Sequence, residues 1–306
     1  MAATRRLRFG LLGSDCWARL HASALSAAGE AQFIGIWDCD PARTAAVATQ
    51  YGVAAYDDAD ALLGDVDAVS IALPPDLQTP MAVRAVKAGR HLLLHKPPAL
   101  PTSSADDLLA ALADKRIASV AFFRHHFAPA AAQVIRTALA TGGWHGARGS
   151  ASMAVSGSTW PCGASPLWDL GPDMVSLFLS VLGPAREVTA VSGSHQSWHV
   201  LVRHESDAVS SLMLSLDIPR ALAGRDVVFL GRRGTLHVPV ASADPVPAMI
   251  RAVSELARAS AGLGSDHGCD IRLGLQVGSV LAAATESAAT GRTIHVQRSA
   301  PASATS

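Results

Sequence analysis

The residues of this chain best placed to do chemistry begin with Gly13, Asp15 and Ala18. They follow an apolar run, Leu7 to Leu12, and open a segment in which Leu20, Ala24 and Leu25 share one helical face, so the stretch predicts a strand, a tight turn and a helix. A glycine at such a turn lets the backbone approach a pyrophosphate, and the helix beyond it offers unpaired N–H groups and the positive end of its dipole. The pattern G-x-G-x-x-A is met at its first and third glycine-type positions, with Ser14, Asp15, Cys16 and Trp17 lying between them. A carboxylate about 5 Å from a phosphate would oppose binding by about 1 kcal/mol at a partly solvated site unless it turned away. Ser14 or Asp15 would equally serve as the N-cap of an ordinary helix. Asp38 ends the next apolar segment, Phe33 to Trp37. There it would accept hydrogen bonds from the adenosine ribose and repel a 2′-phosphate, or else cap the helix after Pro41. Cys39 rather than an arginine follows, no cation is offered, and NAD is favoured over NADP as cofactor. A further candidate is Lys96, one of three lysines against 22 arginines.

The elements that must position these groups alternate. Helices are expected near Arg43–Tyr51, Asp58–Leu63 and Leu77–Ala88, and strands near Val53–Tyr56, Ala68–Leu73, His91–Leu94 and Ala118–Phe122, a rhythm that implies a parallel sheet. Leu73 and Pro74 then stand at one strand's carboxyl end, and His95 and Lys96 at another's, which is where an open α/β sheet places its ligand crevice. After a helix over Pro129–Ala140 the pattern changes to successive strands near Ala147–Val155, Glu187–Ser192, His199–His204 and Ala208–Leu216. In the last of these Leu212, Leu214 and Leu216 alternate with Ser211, Met213 and Ser215, as in a half-covered antiparallel sheet whose other face is an expected subunit interface. Helices near Pro247–Ala259 and Ile271–Ala289 follow.

Several segments, in order along the chain, resemble those of the Gfo/Idh/MocA family of oxidoreductases. Ala88 to Pro97 (A-G-R-H-L-L-L-H-K-P) is similar to that family's A-G-K-H-V-x-x-E-K-P, and Asp67 to Pro75 (D-A-V-S-I-A-L-P-P) to its D-A-V-x-I-A-T-P-P. His126 to Pro129 resembles R-F-x-P, Leu167 to Asp173 resembles L-x-D-x-G-x-H, and Gly231 to Gly234 resembles a G-x-x-G turn. The resemblance implies an α/β protein with an N-terminal Rossmann domain on a parallel sheet and a C-terminal α/β domain on an open, mostly antiparallel sheet. The boundaries expected are 1–122, 123–296 and a disordered Ser/Ala/Pro tail, 297–306.

By the same resemblance, Lys96 is the general acid or base of a hydride transfer, with Asp169 and Asp173 orienting the substrate. The turn residues Gly13, Ser14, Asp15, Cys16 and Trp17 would bind the cofactor together with Asp38, Leu73, Pro74, Gln78 and Lys96. His95 replaces the family's glutamate, Asp173 its last histidine, and Gln78 a common histidine. The first two exchanges either preserve an acid–base pair with its members swapped or mark a site that no longer transfers hydride. The implied function is an NAD-dependent oxidoreductase acting on a hydroxyl or keto group of a sugar, cyclitol or related polyol. The alternative is a redox-silent relative binding a nucleotide or sugar as a sensor or accessory protein, and bound NAD could also serve an elimination or epimerisation through transient oxidation. Trp160, Cys162 and Trp168 are expected near a substrate pocket, and Arg124, His125 and His126 near the crevice.

Composition agrees with this class. The 306 residues suffice for two domains, and 25 basic residues balance 25 acidic ones, which points away from nucleic acid as a partner. Four widely spaced cysteines suggest neither a metal motif nor a disulfide framework, so a reducing cytoplasm is expected and no metal. The Leu7–Leu12 run is too short for an export signal after Arg5-Arg6, and no segment reaches the roughly 20 apolar residues of a membrane span. The expected partners are a sugar-like small molecule and a second copy of the chain.

Overall fold

A computed structural model describes residues 5–96, 103–113, 116–153, 165–194, 196–239, 244–263 and 268–297. The chain divides into two compact units, one of Met1–Phe127 with Ala243–Gly274, the other of Ala128–Ser242 with Leu275–Ser299. Neither unit is continuous in sequence, because the helix Val246–Ser260 packs on the first helix and on the last two strands of the first unit.

The first unit is built on six strands: β1 (Leu7–Leu12), β2 (Ala31–Trp37), β3 (Ala54–Ala55), β4 (Ala68–Ile71), β5 (His91–His95) and β6 (Ser119–Phe122). All are parallel, in the order β3-β2-β1-β4-β5-β6. The helices between them are α1 (Cys16–Ala27), α2 (Pro41–Tyr51), α3 (Ala59–Asp65), α4 (Pro75–Lys87) and α5 (Ser103–Ala113), followed by the single turn α6 (Arg124–Phe127). Sequence reasoning did not anticipate α5. Strands covered by helices on both faces are apolar throughout, and all four residues of β4 are buried, including the one polar residue, Ser70. The core joins Leu12, Val69, Ile71, Leu92 and Leu94 of the sheet to Leu62, Val86 and Leu108 of the helices. The strand order reverses between β1 and β4, the switch point at which such sheets open a ligand crevice.

In the second unit α7 (Pro129–Thr141) precedes a seven-stranded sheet. Its strands are β7 (Trp144–Ser152), β8 (Ala185–Gly193), β9 (Ser197–His204), β10 (Val209–Ser215), β11 (Gly224–Gly231), β12 (Gly234–His237) and β13 (Ile294–His295), in the order β12-β11-β7-β10-β9-β8-β13. Only the β7–β10 pair is parallel. The helix α8 (Pro166–Leu182) packs against β7, β9 and β10, burying Val200, Val202, Leu212 and Leu214 beneath it. The alternation read from β10 is present: Leu212 and Leu214 are buried, while Met213, Leu201 of β9 and Val191 of β8 are exposed. Then come α9, the Val246–Ser260 helix already placed on the first unit, and α10 (Ile271–Thr290).

Candidate functional site

Gly13 follows β1 with φ at +121°, and a Cβ there would drive into the backbone carbonyl oxygen of Ala72, just beyond β4. Only glycine lets the two chain segments meet so closely at the switch point. Ser14 is buried, and its Oγ has no hydrogen-bond partner among the described residues. Asp15 is the N-cap of α1: its carboxylate accepts hydrogen bonds from the backbone N–H groups of Trp17 and Ala18, each at 2.9 Å. The carboxylate therefore turns onto its own helix, and it occupies two of the amides that a glycine at this position would leave for an anion.

Asp38 lies just past the end of β2. Its side chain, 11% exposed, accepts from the Asp40 N–H at 3.0 Å. Arg43 of α2 brings Nη2 to 4.0 Å from Asp38 while its Nε donates to Asp40 at 2.8 Å. The expectation that no cation stands by Asp38 is thus corrected: the arginine comes from the first turn of the next helix instead of the neighbouring position.

Leu73 and Pro74 lead from β4 into α4, with Pro74 at the cap position. Gln78, in the first turn of α4, is buried and donates through Nε2 to the carbonyl oxygen of His95 at 3.1 Å. It ties the helix to the end of β5.

His95 is the last residue of β5 and is 3% exposed. Its Nδ1 lies 3.0 Å from Nε2 of His21 on α1, and Nδ1 of His21 lies 2.6 Å from the hydroxyl of Ser70 on β4. Nε2 of His95 is buried with no hydrogen-bond partner among the described residues. Burial, then His21 and then Lys96 hold the His95 imidazole well below its ordinary range, and burial alone takes His21 down to about 3. Both rings are neutral near pH 7. The Trp17 ring sits 4.7 Å from the His95 ring, and Lys96 places Nζ 5.9 Å from the Trp17 centroid. The sheet thus brings Gly13 to Trp17, Leu73 to Gln78, His95 and Lys96 together at one edge.

In the second unit Asp169 and Asp173 lie one turn apart on α8, near the Ser165 cap whose hydroxyl accepts from the Leu167 N–H at 3.3 Å. Asp169 falls in the first helical turn and Asp173 is buried at 3% exposure. Trp168 is on the same helix, whereas Trp160 and Cys162 lie outside the described residues. His125 and His126 are buried on α6. Among the described residues no group of three or more His, Cys, Asp or Glu side chains is arranged to hold a metal ion. No helix among them is long and apolar enough to cross a membrane.

Sequence reasoning missed His21, Ser70 and Arg43. His21 was legible as a polar residue among the apolar positions of α1, and Ser70 as the single hydroxyl in an apolar strand. Their pairing with each other and with His95 spans 49 and 74 positions and has no local signal.

The strand order, the Gly13 turn and the polar cluster at the switch point define a protein whose first unit is of the dinucleotide-binding α/β class. Residues 7–122 match the model of the Gfo/Idh/MocA oxidoreductase family, described as having an NAD-binding Rossmann fold. Among curated relatives, UDP-N-acetylglucosamine 3-dehydrogenase of Acidithiobacillus ferrooxidans is 35% identical over 111 residues, 36% of this chain and 35% of that protein. Inositol 2-dehydrogenase of Rhizobium meliloti is 31% identical over 124 residues, 40% and 38% of the two chains. The matched region spans between 33% and 38% of the length of the first such relatives. Both units share their fold with the structure of GenD2 from gentamicin A biosynthesis in complex with NAD, at a TM-score of 0.83, 22% identity and coverage of 96% of this chain and 97% of that one.

Proposed function

We propose that this chain is an NAD-dependent oxidoreductase that transfers a hydride to or from a hydroxyl-bearing or keto carbon of a sugar, cyclitol or related polyol. The observation that carries the reading is the cluster at the β1, β4 and β5 ends: the Gly13 turn pressed on Ala72, with Lys96, Trp17 and His95 beside it. Two features fit a dinucleotide. The absence of a Cβ at Gly13 lets the turn after β1 close onto the Ala72 backbone at the switch point, and Ser14 Oγ and His95 Nε2 are buried polar atoms that a ligand would satisfy. Bound NAD would supply the hydride-accepting nicotinamide.

In this reading the protein's own groups do the remaining work. Ser14 and the start of α1 hold the pyrophosphate edge, Leu73, Pro74 and Gln78 line the β4 side, and Asp38 takes the ribose hydroxyls. Lys96 moves the proton of the reacting hydroxyl, a step for which a positioned side chain contributes about 10²–10⁴-fold. Asp169 and Asp173 orient the substrate. Arg43 narrows the preference for NAD without reversing it, because its closer partner is Asp40. The relatives matched over the first unit are named as dehydrogenases or reductases, which supports the redox reading over a silent sensor. A cytoplasmic location is part of the proposal, since Cys16, Cys39 and Cys269 form no disulfide among the described residues.

A second copy of the chain is proposed to cover the outer face of the second unit's sheet, where Val191, Leu201, Val209 and Met213 are exposed at 63%, 53%, 43% and 47%. Met213→Asp should then lower the mass measured by light scattering, and an unchanged mass would remove this interface. The central test is a fluorescence titration with NADH followed by turnover assays on a panel of polyols. Binding in the micromolar range with reduction of NAD by at least one polyol is expected, and absence of NADH binding would overturn the proposal.

A further inference from the structure

Ser70 is fully buried in β4, and among the described residues its hydroxyl has one hydrogen-bond partner, Nδ1 of His21 at 2.6 Å. His21 is fully buried too, and its other nitrogen meets Nδ1 of His95 at 3.0 Å. A chain of hydroxyl, imidazole and imidazole can be protonated in two orders. In the first, Ser70 O–H donates to His21 Nδ1, His21 Nε2–H donates to His95 Nδ1, and His95 is left with an N–H on Nε2. In the second every bond is reversed, so the Ser70 proton has no acceptor and His95 Nε2 is a bare lone pair. The first order leaves one buried group unsatisfied and the second leaves two. A buried hydroxyl without an acceptor is disfavoured enough to hold the second order at about a tenth of the population or less.

We propose that Ser70, acting through His21, fixes His95 as an Nε2–H donor, and that the strand-end site takes a ligand presenting a carbonyl or hydroxyl oxygen to that donor. This rests on the reading of the β1, β4 and β5 ends as the ligand site. The polarity is the opposite of what an ionised glutamate would offer at this position, since a carboxylate can only accept. His21 and Ser70 are positioning residues, and their effect is exerted through His95. The neutral state of both rings permits the arrangement, and Gln78 holds the strand end from the other side through the His95 carbonyl. The rings of Trp17 and Phe122 lie 4.7 Å and 6.3 Å from the His95 ring, and Lys96 places its Nζ over the Trp17 ring.

The test is long-range ¹H–¹⁵N spectroscopy of the histidine side chains in the ligand-free full chain, with the His95 signals assigned by their loss in His95→Gln. A neutral His95 protonated on Nε2 is expected. In Ser70→Ala the two orders become comparable, and the His95 nitrogens should move towards the averaged shifts of mixed tautomers, while Ser70→Thr, which keeps the hydroxyl, restores the parent spectrum. Circular dichroism on each variant separates a tautomer change from unfolding, and His21→Gln provides a second probe if Ser70→Ala fails to fold. A His95 protonated on Nδ1, or a tautomer unmoved by Ser70→Ala, would overturn the relay. NADH is then added alone, and NADH with myo-inositol. A shift of the His95 Nε2 signal with NADH alone places the acceptor oxygen on the dinucleotide, and a shift only with the second mixture places it on the polyol. If NADH binds and neither addition moves the signal, the donor role is overturned. If NADH does not bind at all, the proposed function fails while the ligand-free spectrum still judges the relay.

Discussion

In the first unit Ser70, His21 and His95 come from β4, α1 and β5 and are knitted into one buried hydrogen-bonded line, whereas the second unit's candidate carboxylates, Asp169 and Asp173, sit a turn apart on the single helix α8. The second unit also keeps a row of exposed apolar side chains on its sheet, where every strand of the first unit's sheet but the short β3 is largely covered. The contrast reflects the two kinds of sheet. A parallel sheet covered on both faces forces any polar residue within it to find a partner from another element. A one-sided antiparallel sheet leaves half its residues unconstrained, and these are available for contact with another chain.

The largest effect that would sharpen this contrast is chemical. Lys96→Ala should lower kcat by about 10²-fold or more if the first unit supplies the proton partner. NADH affinity should change by only a few fold, because the Lys96 ammonium stands on the Trp17 ring. Asp169→Asn should act mainly on KM for the polyol. Steady-state kinetics beside a binding titration separate the two, and a Lys96→Ala enzyme with parental kcat would move the chemistry out of the first unit.

Acid should distinguish the units next. The folded-state value of His21 is depressed to about 3, so the unfolded chain binds more protons between that pH and about 6.5. Its stability contribution is therefore complete above pH 6.5 and is lost as pH falls. Through His21 alone the loss between pH 7 and pH 5 is about 2 kcal/mol, and His95 shifts in the same direction. In the second unit His204 is also lowered by burial, but the Gly183 carbonyl opposes that shift. Hydrogen exchange at pH 7 and pH 5 should show amide protection in β4 and β5 falling further than in β9 and β10. Equal losses would show that the buried pair carries no special cost.

Much of this arrangement is legible in the sequence. The alternation of apolar runs with helical stripes predicts the parallel sheet, and the period-two pattern of Leu212, Met213 and Leu214 predicts the half-covered one, because both signals are local. The spacing of Asp169 and Asp173 placed them together for the same reason. Arg43 by Asp38 escaped because sequence reasoning looked for a cation at the adjacent position, and the first turn of α2 carries one back towards the strand end. The His21–His95 contact escaped because its two residues are brought together only by helix α1 packing on the sheet. Asp15 had two readings, cap or obstacle to a phosphate, and only the direction of its side chain chooses between them.

That direction sets a smaller prediction about cofactor choice and the smallest one of all. On the proposal that Asp38 takes the ribose hydroxyls, NADH should bind more tightly than NADPH by about tenfold, near 1.4 kcal/mol, with Arg43 offsetting part of the repulsion. Equal affinity would assign Asp38 to the α2 junction instead. Asp15→Gly removes the carboxylate that accepts from Trp17 and Ala18 N–H, so α1 loses its cap and the first unit should be destabilised by a few tenths to about 1 kcal/mol in urea unfolding. The same substitution releases those two amides at the helix N-terminus and removes a negative charge from the proposed pyrophosphate site, so NADH should bind several-fold more tightly, up to about 1 kcal/mol. Stability and affinity should therefore move in opposite directions at one residue. Asp15→Asn keeps an oxygen for the cap and removes only the charge, and it should tighten NADH binding with little loss of stability. If Asp15→Gly weakens NADH binding and Asp15→Asn does not, the intact cap is what shapes the turn for the cofactor, and the carboxylate at this position is no obstacle.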